Sequence, residues 1–206
     1  MSKLRLCALV LFVMLVPVVA SATTIVTYDE ATFLSGIASG YYLENFTGLG
    51  PYSGGTPTVS YAASSPGGLT ISPFGSDSHS LSDLALDDVI TFNFGSGVTA
   101  VGGWFTTVKN GKFNGGQITL TLDGTPYTPP NDPNHFVFAG FFSTTPITSL
   151  TLSAGNSGNK HLAVDKLYVG SAAQVVPPVA AAEPISMALA AGGFAVVALL
   201  RRRRSA

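Results

Sequence analysis

Short alternating segments separated by turn residues fill the centre of the chain. Residues 89–94 and 117–123 alternate apolar and polar side chains, and residues 98–108 form a longer apolar run. Since successive side chains of a strand point to opposite faces, this period predicts strands that bury one face. Asp123-Gly124 is a favourable turn for a two-residue hairpin. The pattern predicts an all-β domain.

The same signals extend over residues 23–170, with about nine or ten short strands and turns near every dozen residues. One helical signal interrupts them, because Asp29 is a favourable N-cap and predicts a helix over residues 30–38. No internal repeat is visible, which argues against a solenoid or a propeller. The sequence predicts one β-sandwich domain with a short N-terminal helix, large enough to bury a core.

The first 22 residues have the organisation of a secretory signal peptide. Lys3 and Arg5 precede an apolar run over residues 6–19, and Ala20 and Ala22 form an A-x-A cleavage site. Such a signal implies the Sec translocon and a signal peptidase as partners. An uncleaved signal anchor is the alternative, and the small residues at the cleavage site argue against it.

The C-terminus has three parts that follow a small-residue linker over residues 171–181. Glu183 and Pro184 come first, and then the uncharged residues 185–200. As a helix this run spans roughly 24 Å, which is short for a permanent span of about 17–25 residues. The basic cluster after it is formed by Arg201, Arg202, Arg203 and Arg204. Arginines at this position favour a cytoplasmic end, so the sequence predicts a transmembrane helix over 185–200.

This tail resembles the PEP-CTERM sorting signal of exported bacterial proteins, in which Pro-Glu-Pro precedes a short transmembrane helix and a basic end. The match covers residues 182–206, and Ala182 stands where the first proline would be. The resemblance implies that an exosortase-like enzyme recognises Glu183 and Pro184. It also implies an inner-membrane intermediate that is then moved to the cell surface or the extracellular space. A plain membrane anchor is the alternative.

The order of the predicted elements resembles the jelly-roll-like domains that often accompany this signal. Those begin with a strand, a short helix and an acidic-aromatic strand, here residues 42–46. They end on an Asp-containing strand, here residues 163–170. The resemblance implies a jelly-roll-like β-sandwich.

Jelly-roll carbohydrate-binding modules often carry a structural calcium where the first and last strands meet. Glu44 and Asp165 occupy the matching positions, and calcium prefers carboxylate oxygens. The resemblance therefore implies these two residues as calcium ligands. The alternative is that Glu44 is an exposed strand residue and Asp165 is hydrogen-bonded, in which case no cofactor is expected.

Charge and cysteine content exclude several classes of function. Residues 23–183 hold four lysines, no arginine and all eleven carboxylates of the chain, so their formal charge is −7. A field of this sign disfavours nucleic acid and anionic lipid as partners. The single cysteine, Cys7, lies in the predicted signal peptide, which excludes disulfides, thiol catalysis and cysteine-ligated metal from the rest of the chain.

Aromatic side chains are candidates for sugar binding, because their rings stack on the apolar faces of pyranoses. The candidates are Tyr41, Tyr52, Tyr61, Trp104 and Tyr127. We expect Trp104 to pack in the core, since it lies within an apolar strand. Tyr52 and Tyr127 fall in predicted loops and are therefore the better ligand-binding candidates.

No arrangement of residues typical of catalysis stands out. His79, His135 and His161 lie far apart, none at a metal-ligand spacing, and there is no Gly-x-Ser-x-Gly motif. His79 lies near Asp77 and Asp83 in a predicted loop over residues 73–86, where a hydrolytic site is conceivable. We favour a solvated loop, because the Ser/Gly composition already explains these residues.

Three hypotheses of function follow. The first is a non-enzymatic exported protein of the cell surface or extracellular matrix, sorted by an exosortase-like system. The second is a carbohydrate-binding module at the cell surface that contacts extracellular polysaccharide. The third, which we rank last, is a secreted hydrolase that uses the loop before residue 88.

Overall fold

Two antiparallel β-sheets form the fold in the computed structural model, which describes residues 23–48, 52–73, 79–114, 116–155 and 158–173. All of these residues belong to the first of the chain's two compact units, Met1–Ala173. The predicted signal peptide, the transmembrane helix over 185–200 and the sorting tail lie outside the described residues.

The helix α1 (Glu30–Gly36) comes directly after the first strand. The strands are β1 (Thr24–Thr27), β2 (Tyr42–Glu44), β3 (Ser53–Gly55), β4 (Ser60–Ser64), β5 (Leu69–Ser72), β6 (Ser80–Asp83), β7 (Ile90–Phe94), β8 (Ala100–Lys109), β9 (Lys112–Phe113), β10 (Ile118–Leu122), β11 (Thr125–Tyr127), β12 (Val137–Ser143), β13 (Ser149–Ala154) and β14 (His161–Gly170). The predicted all-β sandwich with one short N-terminal helix is confirmed.

The larger sheet has the strand order β1-β12-β8-β14-β6-β5, and the smaller has the order β11-β10-β13-β7-β4-β3. The long strand β14 pairs with β8 along one side. On its other side it pairs with β6 near Ala163 and with β2 near Leu167. A bulge between Asp165 and Leu167 separates these two partners, and Lys166 there has a φ of 51°. A bulge bends a strand locally, so it redirects the side chains at this point of the sheet.

The main core lies between the facing sides of the two sheets. Phe105 and Phe141 from the larger sheet are fully buried with Phe92 and Leu150 from the smaller one. Burying a side chain of this size stabilises the fold by about 1.5–3 kcal/mol. In the absence of disulfides, this shared apolar layer is what holds the two sheets together.

A second, smaller apolar cluster lies on the opposite face of the larger sheet. Phe33 of α1 is fully buried there against Phe138 and Tyr168. The helix can approach because the strand below carries glycine: a Cβ on Gly140 would lie 2.4 Å from the Phe33 ring. The helix thus covers part of the outer face of the larger sheet.

Several element boundaries differ from the predictions. The helix ends at Gly36 rather than at residue 38, because Ile37 adopts an extended backbone and forms a bridge with Ala172. Strands β3, β6 and β11 lie in segments predicted to be loops. Within the described ranges, no helix is both long and apolar enough to cross a membrane.

Candidate functional site

Trp104 lies on the outer face of the larger sheet, next to the N-terminus of α1. Its neighbour in sequence, Phe105, points into the main core, so strand alternation turns the indole outward. The indole packs edge-on against Phe138, with ring centroids 5.5 Å apart, and stays partly exposed. The prediction that Trp104 packs in the core is therefore correct only in part, since it packs against the outer cluster and not between the sheets.

A carboxylate from α1 fixes the orientation of this indole. Trp104 Nε1 donates a hydrogen bond to Glu30 Oε1 at 3.0 Å, and the Tyr168 hydroxyl donates to the same oxygen at 2.5 Å. Asp29 caps the helix by accepting from the Thr32 N–H at 2.7 Å, which holds Glu30 in the first turn. Because these contacts restrict the indole, its exposed surface is presented in a fixed position.

The hydroxyl of Tyr168 remains protonated over a wide range of pH. Burial, and then the hydrogen bond to Glu30, raise the pKa of Tyr168 well above its ordinary value. The hydroxyl is therefore a permanent donor to Glu30. The second oxygen of Glu30, Oε2, takes no part in either of the two bonds.

Asp165 is the neighbour of Trp104 on the adjacent strand. The two residues are directly paired in the β8–β14 ladder, so their side chains share the outer face. Asp165 is 4% exposed and sits at the bulge in β14. We call Glu30, Trp104, Phe138, Asp165 and Tyr168 the Trp104 cluster.

The Trp104 cluster combines the two chemical features that sugar recognition requires. A flat, partly exposed indole can pack on the apolar face of a pyranose ring. The half-buried Glu30 carboxylate can accept hydrogen bonds from sugar hydroxyls through Oε2, and bonds to a charged acceptor are stronger than neutral ones. The arrangement can therefore hold a sugar ring by stacking and orient its hydroxyl groups.

The calcium ligand predicted at Glu44 is engaged in other contacts. Its Oε2 accepts hydrogen bonds from the hydroxyls of Tyr42 and Tyr61, both at 2.8 Å, and its Oε1 accepts from the Phe46 N–H at 2.8 Å. Burial and Glu44 raise the pKa of Tyr61, so this hydroxyl stays a donor.

A calcium ion needs six to eight oxygen ligands, and at Glu44 it would compete with these three hydrogen bonds. Glu44 pairs with Leu167, on the strand that carries Asp165. Among the described residues, no three acidic, histidine or cysteine side chains are grouped to hold a metal. The calcium site at Glu44 and Asp165 stays a prediction.

Tyr52 and Tyr127, predicted as loop residues free to bind a ligand, are half-buried and pack against the main core. The Tyr127 ring lies 5.2 Å from that of Phe141 and belongs to β11. The Tyr52 hydroxyl donates to the Leu69 carbonyl at 3.4 Å. Their role in binding stays a prediction, while Trp104 offers a ring on the outer face.

Asp83, which the sequence placed near His79 in a conceivable hydrolytic site, lies against His161. It is 1% exposed and accepts from the Leu162 N–H at 2.7 Å. His161 Nδ1 lies 3.1 Å from the Asp83 carbonyl oxygen and 3.5 Å from its Oδ1. Burial raises the pKa of Asp83 in spite of these contacts. Asp77 lies outside the described residues.

Sequence reasoning missed Glu30 and Tyr168 as parts of the site. They lie 138 residues apart, and Trp104 is 74 residues from Glu30, so no local spacing joins them. For Trp104 itself, the sequence did contain a signal. Side chains alternate between the two faces of a strand, so an inward Phe105 implies an outward Trp104.

No protein-family description matches the sequence, and no curated protein matches it. Solved structures to which parts of the chain are similar include the catalytic domain of Agl-KA, at 13% identity and a TM-score of 0.37. That alignment covers 66% of this chain and 28% of the Agl-KA domain, so this chain spans well under two thirds of its length.

Carbohydrate-binding modules of family 29 are also among the similar folds. A variant in complex with mannohexaose is 8% identical over 74% of this chain and 94% of the module, with a TM-score of 0.39. A module from Piromyces equi is 12% identical over 74% of this chain and 93% of the module, with a TM-score of 0.35. At these values the likeness carries no statement about ligand or activity.

Proposed function

We propose that this protein is a non-enzymatic, exported glycan-binding protein whose Trp104 cluster contacts polysaccharide. One observation carries the proposal: a partly exposed indole on the outer sheet face is fixed by Glu30 and flanked by Asp165. Of the hypotheses drawn from the sequence, this supports the carbohydrate-binding alternative, with a jelly-roll-like sandwich as the scaffold.

We expect the fixed orientation of the Trp104 indole to favour binding of a glycan. A side chain that is already held in its bound rotamer loses little entropy when a ligand binds. The Trp104 indole is restrained on one edge by Phe138 and at its nitrogen by Glu30. A sugar ring would therefore meet a rigid platform.

We further propose that the chain is exported by its signal peptide and sorted through Glu183 and Pro184. The support is the pairing of two targeting signals around an acidic domain without cysteine. The intact mass of protein from membrane and secreted fractions tests this, since it reports cleavage after Ala22 and within the tail. If replacement of Glu183 and Pro184 leaves mass and location unchanged, the sorting proposal fails.

Retention of the purified full chain in gels that contain soluble polysaccharide tests glycan binding. We expect Trp104→Ala to abolish retention and Phe142→Ala to preserve it. Phe142 is a matched control, because its ring stacks on Phe33 in the same outer cluster, 5.0 Å away, and its loss tests packing alone. Equal retention of both variants, or none for the wild type, would favour the second candidate, a purely structural matrix component.

A further inference from the structure

The charges around the Trp104 cluster are mostly negative. Glu30 and Asp165 flank the indole, and the exposed Asp29 precedes Glu30. Lys166 follows Asp165 at the bulge, and its positive charge offsets the negative charge of one of the three carboxylates. A glycan lying on Trp104 would therefore meet a net negative field.

The other lysines are too far from Trp104 to reverse this field. Lys109 and Lys112 face each other across the β8–β9 hairpin, and Lys160 directly precedes β14. Lys109 is five residues from Trp104 along β8, a separation of about 16 Å in a strand. This is about twice the screening length of roughly 8 Å at physiological salt.

We infer that the Trp104 cluster selects glycans by charge: it binds chains with free amino groups best, neutral chains less well, and uronate chains least. The inference rests on the proposed glycan binding and adds the class of ligand. An ammonium group near Glu30 is attracted to the carboxylate, whereas a sugar carboxylate is repelled by it. Stacking on the indole is common to all three classes, so charge alone separates them.

Three β-linked hexamers of equal length and of the same ring configuration test this ordering: glucosamine, glucose and glucuronate. Their binding to the purified full chain is measured by isothermal titration calorimetry at mildly acidic pH, where the amines are charged. One carboxylate about 6 Å from a ligand charge in water changes affinity roughly threefold. We expect the affinity ratio of amine to neutral hexamer to fall by that factor in Glu30→Gln, whose amide oxygen still accepts from Trp104 and Tyr168.

The matched control is Asp123→Asn, which changes net charge by the same amount. Asp123 lies at the β10–β11 turn in the smaller sheet, where it accepts hydrogen bonds from the Thr148 and Ser149 amides. We expect it to leave the ratio unchanged. An equal change in both variants would assign the effect to the charge of the whole protein and overturn the inference.

The salt dependence of the unmodified chain gives an independent measurement. We expect added salt to weaken binding of the amine hexamer and to leave the neutral hexamer unaffected. Equal affinity for all three hexamers, or tighter binding of glucuronate, would overturn the charge selection and leave glycan binding intact. Binding of none of them would instead refute the proposed function itself.

Discussion

The indole nitrogen of Trp104 donates a hydrogen bond to Glu30 Oε1 across 3.0 Å, which ties β8 to the first turn of α1. Tyr168 of β14 donates to the same oxygen, so one carboxylate joins a helix and two neighbouring strands. The contact places the only tryptophan of the chain in a defined position on the outer face of the sheet.

Removal of the Glu30 carboxylate should destabilise the fold. In Glu30→Ala, the Trp104 N–H and the Tyr168 hydroxyl lose their acceptor, and an unpaired buried group costs about 1–3 kcal/mol. Urea unfolding measures this loss as a lower midpoint. Glu30→Gln should lose less than half as much, because it keeps an acceptor; equal midpoints for the two variants would contradict the role of the shared oxygen.

Stability should fall at alkaline pH through Tyr168. Its pKa is raised in the folded protein, by burial and by Glu30, whereas the unfolded chain ionises at about 10. The stability linked to Tyr168 is therefore present below about pH 10 and is lost as the pH rises towards the folded pKa. Urea unfolding between pH 8 and 11 should show a shallower decline for Tyr168→Phe than for the wild type. Parallel curves would refute the linkage.

Acid should loosen the turn before β14 through Asp87. The Asp87 carboxylate accepts hydrogen bonds from the N–H groups of Gly158, Asn159 and Lys160, which lower its pKa. The stability linked to Asp87 is present above about pH 3.8 and is lost as the pH falls through the folded pKa. Asp87→Ala should therefore raise the pH midpoint of acid unfolding, as followed by circular dichroism.

The control for Asp87 is Asp132→Ala. Asp132 also has a lowered pKa, but it bonds only to the nearby Asn134 and His135 among the contacts described for it. Since it joins no distant segments, its removal should move the acid midpoint less. A larger effect for Asp132 would show that long-range anchoring is not what Asp87 contributes.

Calcium should leave the melting temperature of the full chain unchanged. The oxygens of Glu44 already accept from Tyr42, Tyr61 and the Phe46 N–H, so a cation would compete with three hydrogen bonds. Differential scanning calorimetry with calcium and with a chelator measures this. An upward shift with calcium that is lost in Glu44→Gln would contradict this expectation and support the predicted site.

Local patterns were sufficient to predict the sandwich but not the site. The alternation of apolar and polar side chains over residues 117–123 predicted β10, because the polarity of each side chain there indicates which face of the strand it lies on. The polar strand β6 was not predicted, since Ser80 and Ser82 gain their place by pairing of β6 with β5 and with β14. The contact between Glu30 and Trp104 likewise depends on how α1 packs on the sheet, which no local sequence pattern specifies.

Trp104 is the only tryptophan in the chain, so tryptophan emission reports on the proposed platform alone. The most direct test of glycan contact at Trp104 is a titration of the full chain with a neutral hexasaccharide, followed by tryptophan emission and in parallel by calorimetry. We predict a saturable change in emission with the same dissociation constant as the calorimetric one. Calorimetric binding without any change in emission would place the glycan elsewhere and contradict the account.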